Sequence, residues 1–307
     1  TQLKKKYIPF KECSFMNPWN PLFYWQYHRL LQQIKPHLVI VHGKRASILT
    51  RFQPRSIPII AIVHSKSYHP YRLPHIKHFI AINSKILLSK ITARDQHITL
   101  IPHWLDHNTT PLTQHQEHNN CFTLGFLGRL SPEKNIKDLV HASALLKQQK
   151  IPCQLLIAGD GPETSTLKQL CIELDVCNEV SFLGWIEQPE GFLSKIDALA
   201  LPSEHETFGL VVLEAWLQST PVIASKADGP ASVIDHNVNG LIHPIGDVKT
   251  IVEHIHTYIQ KPEIKHQHGK NGHQKLTDCY STDAAKNTIH KYLNTVVNCE
   301  ESTSQSV

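Results

Sequence analysis

Ala198-Leu199-Ala200-Leu201-Pro202-Ser203-Glu204-His205-Glu206-Thr207-Phe208-Gly209-Leu210-Val211-Val212-Leu213-Glu214-Ala215 places a short apolar run, a polar loop and a second apolar run in direct succession. The first run reads as a buried strand and the second as a helix that opens near Gly209. Glu206 then stands just ahead of the helix N-terminus, where unpaired amide N–H groups attract anions. Glu214 lies more than a turn inside. Eight residues of helix rise about 12 Å, so the pattern sets two carboxylates at the ends of a span of that size.

The same alternation repeats from Phe122 onward. Strands are expected over 122–127, 153–158, 180–183, 198–201, 221–224 and 240–243, and helices over 133–149, 162–175, 187–195, 209–218, 231–235 and 247–260. Strands alternating with helices argue for βα units on a parallel sheet, hence one doubly wound domain. In such sheets ligands bind outside the carboxyl ends of the strands. The front half is α/β but shorter, with a helix over 21–34 and strands over 37–41, 59–63, 78–82 and 98–101. Residues 106–120, rich in His, Thr, Asn and Gln, read as a linker. A terminal helix is expected over 283–297. The division is therefore 1–118, 119–282 and a 283–307 helix and tail.

A length of 307 residues suits two domains of ordinary size, and 41% hydrophobic residues supply two cores. No apolar run reaches the 18 or so residues of a membrane span. Residues 1–6 are polar and basic with no apolar stretch behind them, so no secretory leader is expected. Seven cysteines at irregular spacing, with no C-x-x-C pair, fit a reducing, cytoplasmic compartment. Twenty-two histidines form loose groups without the ligand spacing of a zinc site, and no metal is expected. The net charge of +5 conceals an asymmetry: residues 1–118 carry 16 Lys+Arg against 4 Asp+Glu, and the remainder carries 15 against 22. A basic front half either faces an anionic partner (lipid, acceptor or nucleic acid) or is simply solvated.

Three further strand ends carry chemistry. Gly128-Arg129-Leu130-Ser131-Pro132-Glu133-Lys134 turns tightly at Gly128, starts a helix at Pro132 and offers two cations, Arg129 and Lys134. Preorganised cations there would stabilise a leaving group that gains negative charge. Gly159-Asp160-Gly161-Pro162 lacks the third glycine of a dinucleotide fingerprint, since position 164 is Thr, so a dehydrogenase reading fails. These glycines serve either close ligand approach or a tight βα turn. Phe182-Leu183-Gly184-Trp185 offers an indole that stacks on a base or packs; packing is the favoured reading. In the front half Ile62-Val63-His64-Ser65 ends a strand, and a neutral imidazole at His64 suits a hydroxyl or phosphate oxygen. Gly240, in Asn239-Gly240-Leu241, reads as a positive-φ turn.

The glutamate pair resembles the E-x7-E signature of retaining GT-B glycosyltransferases, in particular glycosyltransferase family 4 (group 1). Gly128 to Lys134 resembles that family's G-R-x-x-x-x-K element, 159–162 its G-x-G-P, 182–184 its F-x-G, and Asp228-Gly229-Pro230 and Asn239-Gly240-Leu241 its G-P and N-G-x-L positions. Ile101-Pro102-His103-Trp104-Leu105-Asp106 departs from the family's I-P-N-G-V-D at His103 and Trp104, which weakens any carry-over at that turn. The resemblance implies two Rossmann-like doubly wound domains facing a cleft, with the front one lacking its opening strand and Gly-rich loop. A chain that has lost its front is favoured over a naturally reduced one, because a half-built sheet leaves an unpaired edge. It also implies a terminal helix that crosses back to the first domain.

The activity implied is metal-independent transfer of a sugar, with retention, from a nucleotide-sugar donor and without a cofactor. By the same resemblance Arg129 and Lys134 grip the donor diphosphate and Glu206 fixes sugar hydroxyls. Glu214 accepts ribose hydroxyls, and Gly128, Gly159, Gly161, Phe208, Gly209 and Leu210 line the donor. His64 contacts sugar or phosphate from the other domain. Retention is usually described as a front-face process assisted by the donor phosphate, so no protein nucleophile is assigned. The acceptor is expected to be a glycan or lipid-linked glycan of the cell envelope, such as a lipopolysaccharide core. The basic front half would then touch the anionic inner face of the membrane. A non-catalytic nucleotide-sugar-binding or scaffold protein is the rival reading. A nucleic-acid role lacks stacking platforms or a recognition motif.

Overall fold

The computed structural model describes residues 20–54, 56–64, 68–84, 86, 96–106 and 121–304. Ser65 and linker residues 107–120 lie outside the described residues. Among the described residues the chain forms two compact units. One takes in residues up to Ala81, Ile86–Leu100 and the chain from Leu293 on; the other takes in Ile82–Lys85 and Ile101–Tyr292.

In the first unit four parallel strands run in the order β1-β2-β3-β4: Val39–His42, Ile59–Val63, His78–Ala81 and His97–Leu100. Helix Pro21–Ile34 starts on an Asn20 cap whose side chain accepts from the Leu22 amide, with Pro21 at its first position. A seven-residue helix, Gly43–Leu49, follows β1 directly and opens on the positive-φ Gly43.

The second unit holds a six-stranded parallel sheet in the order β10-β9-β8-β5-β6-β7. Its strands are β5 Phe122–Leu127, β6 Cys153–Ala158, β7 Val180–Gly184, β8 Ala198–Leu201, β9 Val222–Ser225 and β10 Leu241–His243. Ala198, Leu199, Val222 and Ala224 are wholly excluded from solvent, as strands covered on both faces require. The chain runs outward from β5 through β6 to β7, then returns to place β8 on the other side of β5. The topological switch point thus lies between β5 and β8, where an open α/β sheet leaves a crevice.

Three expectations need correction. The helix expected over 133–149 is interrupted: Pro132–Lys134 is a 3-10 turn, Asn135 takes a left-handed conformation (φ 51°), and the α-helix is Lys137–Gln148. Gly240 does not have positive φ; that role falls to Asn237 (φ 62°). Glycine is needed at 240 because an added Cβ would lie 2.8 Å from the Val222 carbonyl oxygen. The third is an 18-residue helix, Pro262–Cys279, that no pattern had marked. Its Gly269 and Gly272 sit where a Cβ would meet the Ser219 carbonyl oxygen at 2.0 Å and the Trp216 ring at 2.3 Å, so missing side chains let the helix press onto Leu210–Leu217. The terminal helix runs Thr282–Ser304 and changes unit at Leu293.

The edge strand β10 is held by imidazoles. His236 Nδ1 accepts from the Ile242 amide at 2.9 Å, and His254 Nε2 lies 3.2 Å from the Ile242 carbonyl oxygen. Buried His243 pairs its Nδ1 with the Pro244 carbonyl at 2.9 Å, and burial pushes its pKa down to about 4, opposed by the hydrogen bond to that carbonyl.

Because Trp216 is fully buried and cannot move aside, Gly272→Val is expected to destabilise the fold toward the upper end of the roughly 1–3 kcal/mol typical of overpacking. Urea unfolding measures this, and an unchanged midpoint would contradict the packing. His243 supplies a pH prediction. The unfolded imidazole titrates near 6.5 and the folded one near 4. Between these values the unfolded chain binds the extra proton, so stability is full above pH 6.5 and declines toward pH 4. The loss is on the order of 3 kcal/mol. His243→Gln should flatten that part of the stability–pH curve; an unaltered slope would reject the assignment.

Candidate donor-binding site

The crevice between β5 and β8 opens into a cavity of about 550 Å³ in the second unit. Its lining includes Gly128, Arg129, Lys134, Gly159, Glu206, Phe208, Gly209, Leu210 and Glu214. Nine of the eleven residues singled out by sequence therefore share one pocket. The other two are not among its lining residues. Gly161 lies against the Leu130 backbone, 2.2 Å from its carbonyl oxygen if it carried a Cβ. His64 follows β2 of the first unit, its ring stacked on His42 with 3.2 Å between Nε2 and the His42 Nδ1. Burial, then His42, pushes the His64 pKa down.

The loops after β5, β6 and β7 are laced together by backbone. The Gly128 amide donates to Ala158, Leu130 to Asp160, and Gly159 to Gly184. A Cβ on Gly159 would stand 1.8 Å from the Gly128 oxygen, an impossible contact. Both amides of Glu204 and His205 donate to the Glu133 carbonyl, which ties the loop after β8 to the 3-10 turn after β5. The break at Asn135 makes that contact geometrically available. It brings Lys134 Nζ to 2.5 Å from Glu206 Oε2, with both side chains largely shielded from water. The ion pair links the sequence's two charged motifs directly. Arg129, by contrast, is exposed at the pocket wall and has no carboxylate at ion-pair distance among the described residues.

The loop carrying Glu206 is itself fixed from beneath. The Glu206 carbonyl accepts from the Gly229 amide at 2.8 Å, the Thr207 carbonyl accepts from the Asn83 side chain, and a Cβ on Gly229 would lie 2.5 Å from the Phe208 nitrogen. Gly209, at φ 84°, turns the chain into helix Leu210–Leu217. Only the stretch from Leu210 is helical, so four steps, about 6 Å of rise, separate the helix start from Glu214. Glu214 is the one charged residue of this otherwise apolar helix. Burial, then the nearby charge of Glu190, raises its pKa above the usual carboxylate value.

Two lining residues depart from the expectations. Trp185 does not pack: it is 81% exposed and stands on the pocket wall beside Glu187 and Pro189. His103, set aside because it departs from the family pattern, lines the pocket with its ring edge-on to Phe208 at 5.2 Å. It is held there by the Leu105 amide bond to Tyr280 and a parallel bridge from Leu105 to Ser281. No sequence signal joined 101–106 to 280–282, whose pairing is non-local. Among the described residues no group of three His, Cys, Asp or Glu side chains is arranged to hold a metal ion.

The Glu214 environment is directly measurable. Its carboxyl carbon should titrate above 4.5 by NMR, and Glu190→Gln should move the midpoint part of the way down, because burial remains. A wild-type midpoint at or below 4.5 would contradict the geometry.

A family model described as glycosyl transferases group 1 matches residues 112–275, just over half of the chain. The lipopolysaccharide core biosynthesis glycosyltransferase LpsD of Rhizobium meliloti (strain 1021) is 26% identical over 277 residues, covering 86% of this chain and 76% of LpsD. LpsE of the same organism, also a lipopolysaccharide core biosynthesis glycosyltransferase, is 31% identical over 158 residues, covering 52% of this chain and 45% of LpsE; the match thus spans less than half of that relative. The crystal structure of Anabaena HepE in complex with UDP and glucose superposes with a TM-score of 0.78 at 21% identity, covering 96% of this chain and 88% of that one. The chain belongs to the group 1 glycosyl transferases, and its two parallel-sheet α/β units have the GT-B fold.

Proposed function

We propose that the cavity between β5 and β8 holds a nucleotide-sugar donor and that the protein transfers its sugar, with retention and without a metal ion, to a glycan or lipid-linked glycan. The observation that carries this reading is the convergence of Arg129, Lys134, Glu206 and Glu214 on one pocket at the carboxyl ends of the strands. That HepE was crystallised with UDP and glucose supports a nucleotide-sugar as ligand class. The names of LpsD and LpsE support an acceptor of the lipopolysaccharide-core type. Such an acceptor places the work at the inner face of a membrane, and no helix among the described residues is long and apolar enough to cross one.

In this reading Arg129 and Lys134 receive the charge that builds on the diphosphate as the glycosidic bond breaks. The N-terminus of Leu210–Leu217 adds its positive dipole end. Donor arrival exchanges the partners of the ion pair: Lys134 turns to phosphate, and Glu206 accepts hydrogen bonds from sugar hydroxyls. The Lys134–Glu206 contact holds both groups in place beforehand. Glu214, as carboxylate, accepts the two ribose hydroxyls. Trp185 offers an open aromatic face at the nucleobase end. No side chain is assigned as nucleophile.

Thermal shift with UDP, GDP and ADP, then their sugars, should single out one nucleotide, because a ligand that binds only the folded state raises the melting point. With that donor, Glu214→Ala should weaken nucleotide binding by about tenfold or more. Glu206→Ala should mainly lower turnover. Wild-type behaviour of both variants, or no stabilisation by any nucleotide, would overturn the proposal. The anomeric configuration of the product, read by NMR, tests retention.

A further inference from the structure

A second cavity, of about 460 Å³, lies in the first unit at the amino ends of β2 and β3, the end of the sheet opposite to where α/β folds place their substrates. Its volume falls within the roughly 300–1,000 Å³ usual for small-molecule sites. Thr50, Arg51, Gln53, His75, Lys77 and His78 supply its polar wall, and no carboxylate contributes to the lining among the described residues.

That wall is rigid. The Thr50 hydroxyl donates to the Ser47 carbonyl at 2.8 Å, and His75 Nε2 lies 3.1 Å from the same oxygen. Gln53 donates to the Ile57 carbonyl at 2.8 Å and accepts from the Tyr27 hydroxyl. His78 is buried and stacked on His97 at 6.0 Å. The Arg51 guanidinium lies over the Phe52 ring, 5.8 Å from its centroid. Arg51 and Lys77, both exposed, place two permanent cations at the mouth of this fixed polar floor.

The surrounding charge is one-sided to an unusual degree. From residue 13 to residue 94 the sequence contains 12 Lys+Arg and not one Asp or Glu. Among the described side chains of the first unit there is no carboxylate at all. Among the described residues the charge around the cavity is therefore positive. A donor-rich wall with an Arg fork and a Lys ammonium, and no acid among its described residues, suits an acceptor-only anion of high charge density, which is the chemistry of phosphate.

We propose that this cavity is an anion site for a phosphate-bearing ligand, separate from the donor pocket and independent of the sugar-transfer reading. Isothermal titration of the full chain with inorganic pyrophosphate tests it in wild type, Arg51→Gln/Lys77→Gln and Arg129→Ala. The expected result is binding that persists in Arg129→Ala, weakens about tenfold or more in the double variant and falls with added NaCl. Binding lost in Arg129→Ala but unchanged in the double variant would overturn the cavity site and leave the donor pocket standing. No binding to wild type would overturn the proposal. Circular dichroism melts check that the double variant folds, and Lys77→Gln alone, at an exposed position, is the fallback. Sedimentation with neutral phosphatidylcholine vesicles, with and without phosphatidic acid, separates the sources. Pelleting that needs phosphatidic acid and Arg51/Lys77 assigns a lipid headgroup; pyrophosphate binding without pelleting assigns a soluble phosphate.

Discussion

Side chains are missing at the places where the loops of the second sheet meet, and the donor pocket depends on that. An added Cβ would lie 1.8 Å from the Gly128 oxygen at Gly159, 2.2 Å from the Leu130 oxygen at Gly161, and 2.5 Å from the Phe208 nitrogen at Gly229. Each contact is one that a real Cβ cannot make, so loop backbones touch where in other sequences side chains would hold them apart. Amide-to-carbonyl bonds then fix the contacts: Gly128 to Ala158, Gly159 to Gly184, and Gly229 to Glu206. The charged groups inherit their positions from this backbone frame. Gly161 therefore contributes to the pocket without lining it, by letting the loop after β5 settle on the loop after β6.

Electrostatics inside the frame is divided by burial. Lys134 and Glu206 are paired at 2.5 Å with only 22% and 13% of their side-chain surfaces exposed. At such depth neither charge is well hydrated, and each needs the other until a ligand replaces it. Removing one partner alone would leave a shielded charge uncompensated, which makes the pair an interaction of position as much as of stability. Among the described residues no cation forms an ion pair with Glu214, and burial and Glu190 both oppose its ionisation. A ligand that presents hydroxyl donors to Glu214 offsets that penalty, so the carboxylate is held in a state that hydrogen-bond donors improve. Arg129, exposed at the wall, carries no such constraint.

Much of this was legible in the sequence because the signals were local. β5, β6 and β8 begin and end where their apolar runs do, since a strand covered on both faces must be apolar throughout. The failures share a different cause. Pro262–Cys279 is rich in His, Lys and Gln, and its buried face is His268, Gly269, Gly272 and Leu276, a set with only one large apolar side chain for a hydrophobic period to register. The break at Asn135 depends on a left-handed residue whose side chain bonds Asp138 at 2.5 Å, a feature of conformation more than of composition. His103 reaches the pocket only because Leu105 pairs with Tyr280 and Ser281, about 175 residues later in the chain. Trp185 was read as core because aromatic rings mostly bury; the positive φ of Gly184 turns it outward instead.

The charge distribution has a consequence of its own. A run of 12 cations without a carboxylate repels itself, and that repulsion lowers the stability of the compact first unit in proportion to how poorly it is screened. The wholly buried Ile60, Ala61, Val63, Ile76 and Phe79 must offset it through apolar contact. Neutralising substitutions to Asp or Glu on so exposed a surface would relieve the repulsion without touching this core. The second unit shows that the same chain uses such residues freely: past residue 118 acids outnumber Lys+Arg by 22 to 15. Among the described side chains the absence of acids is therefore confined to the first unit, where it works against that unit's stability.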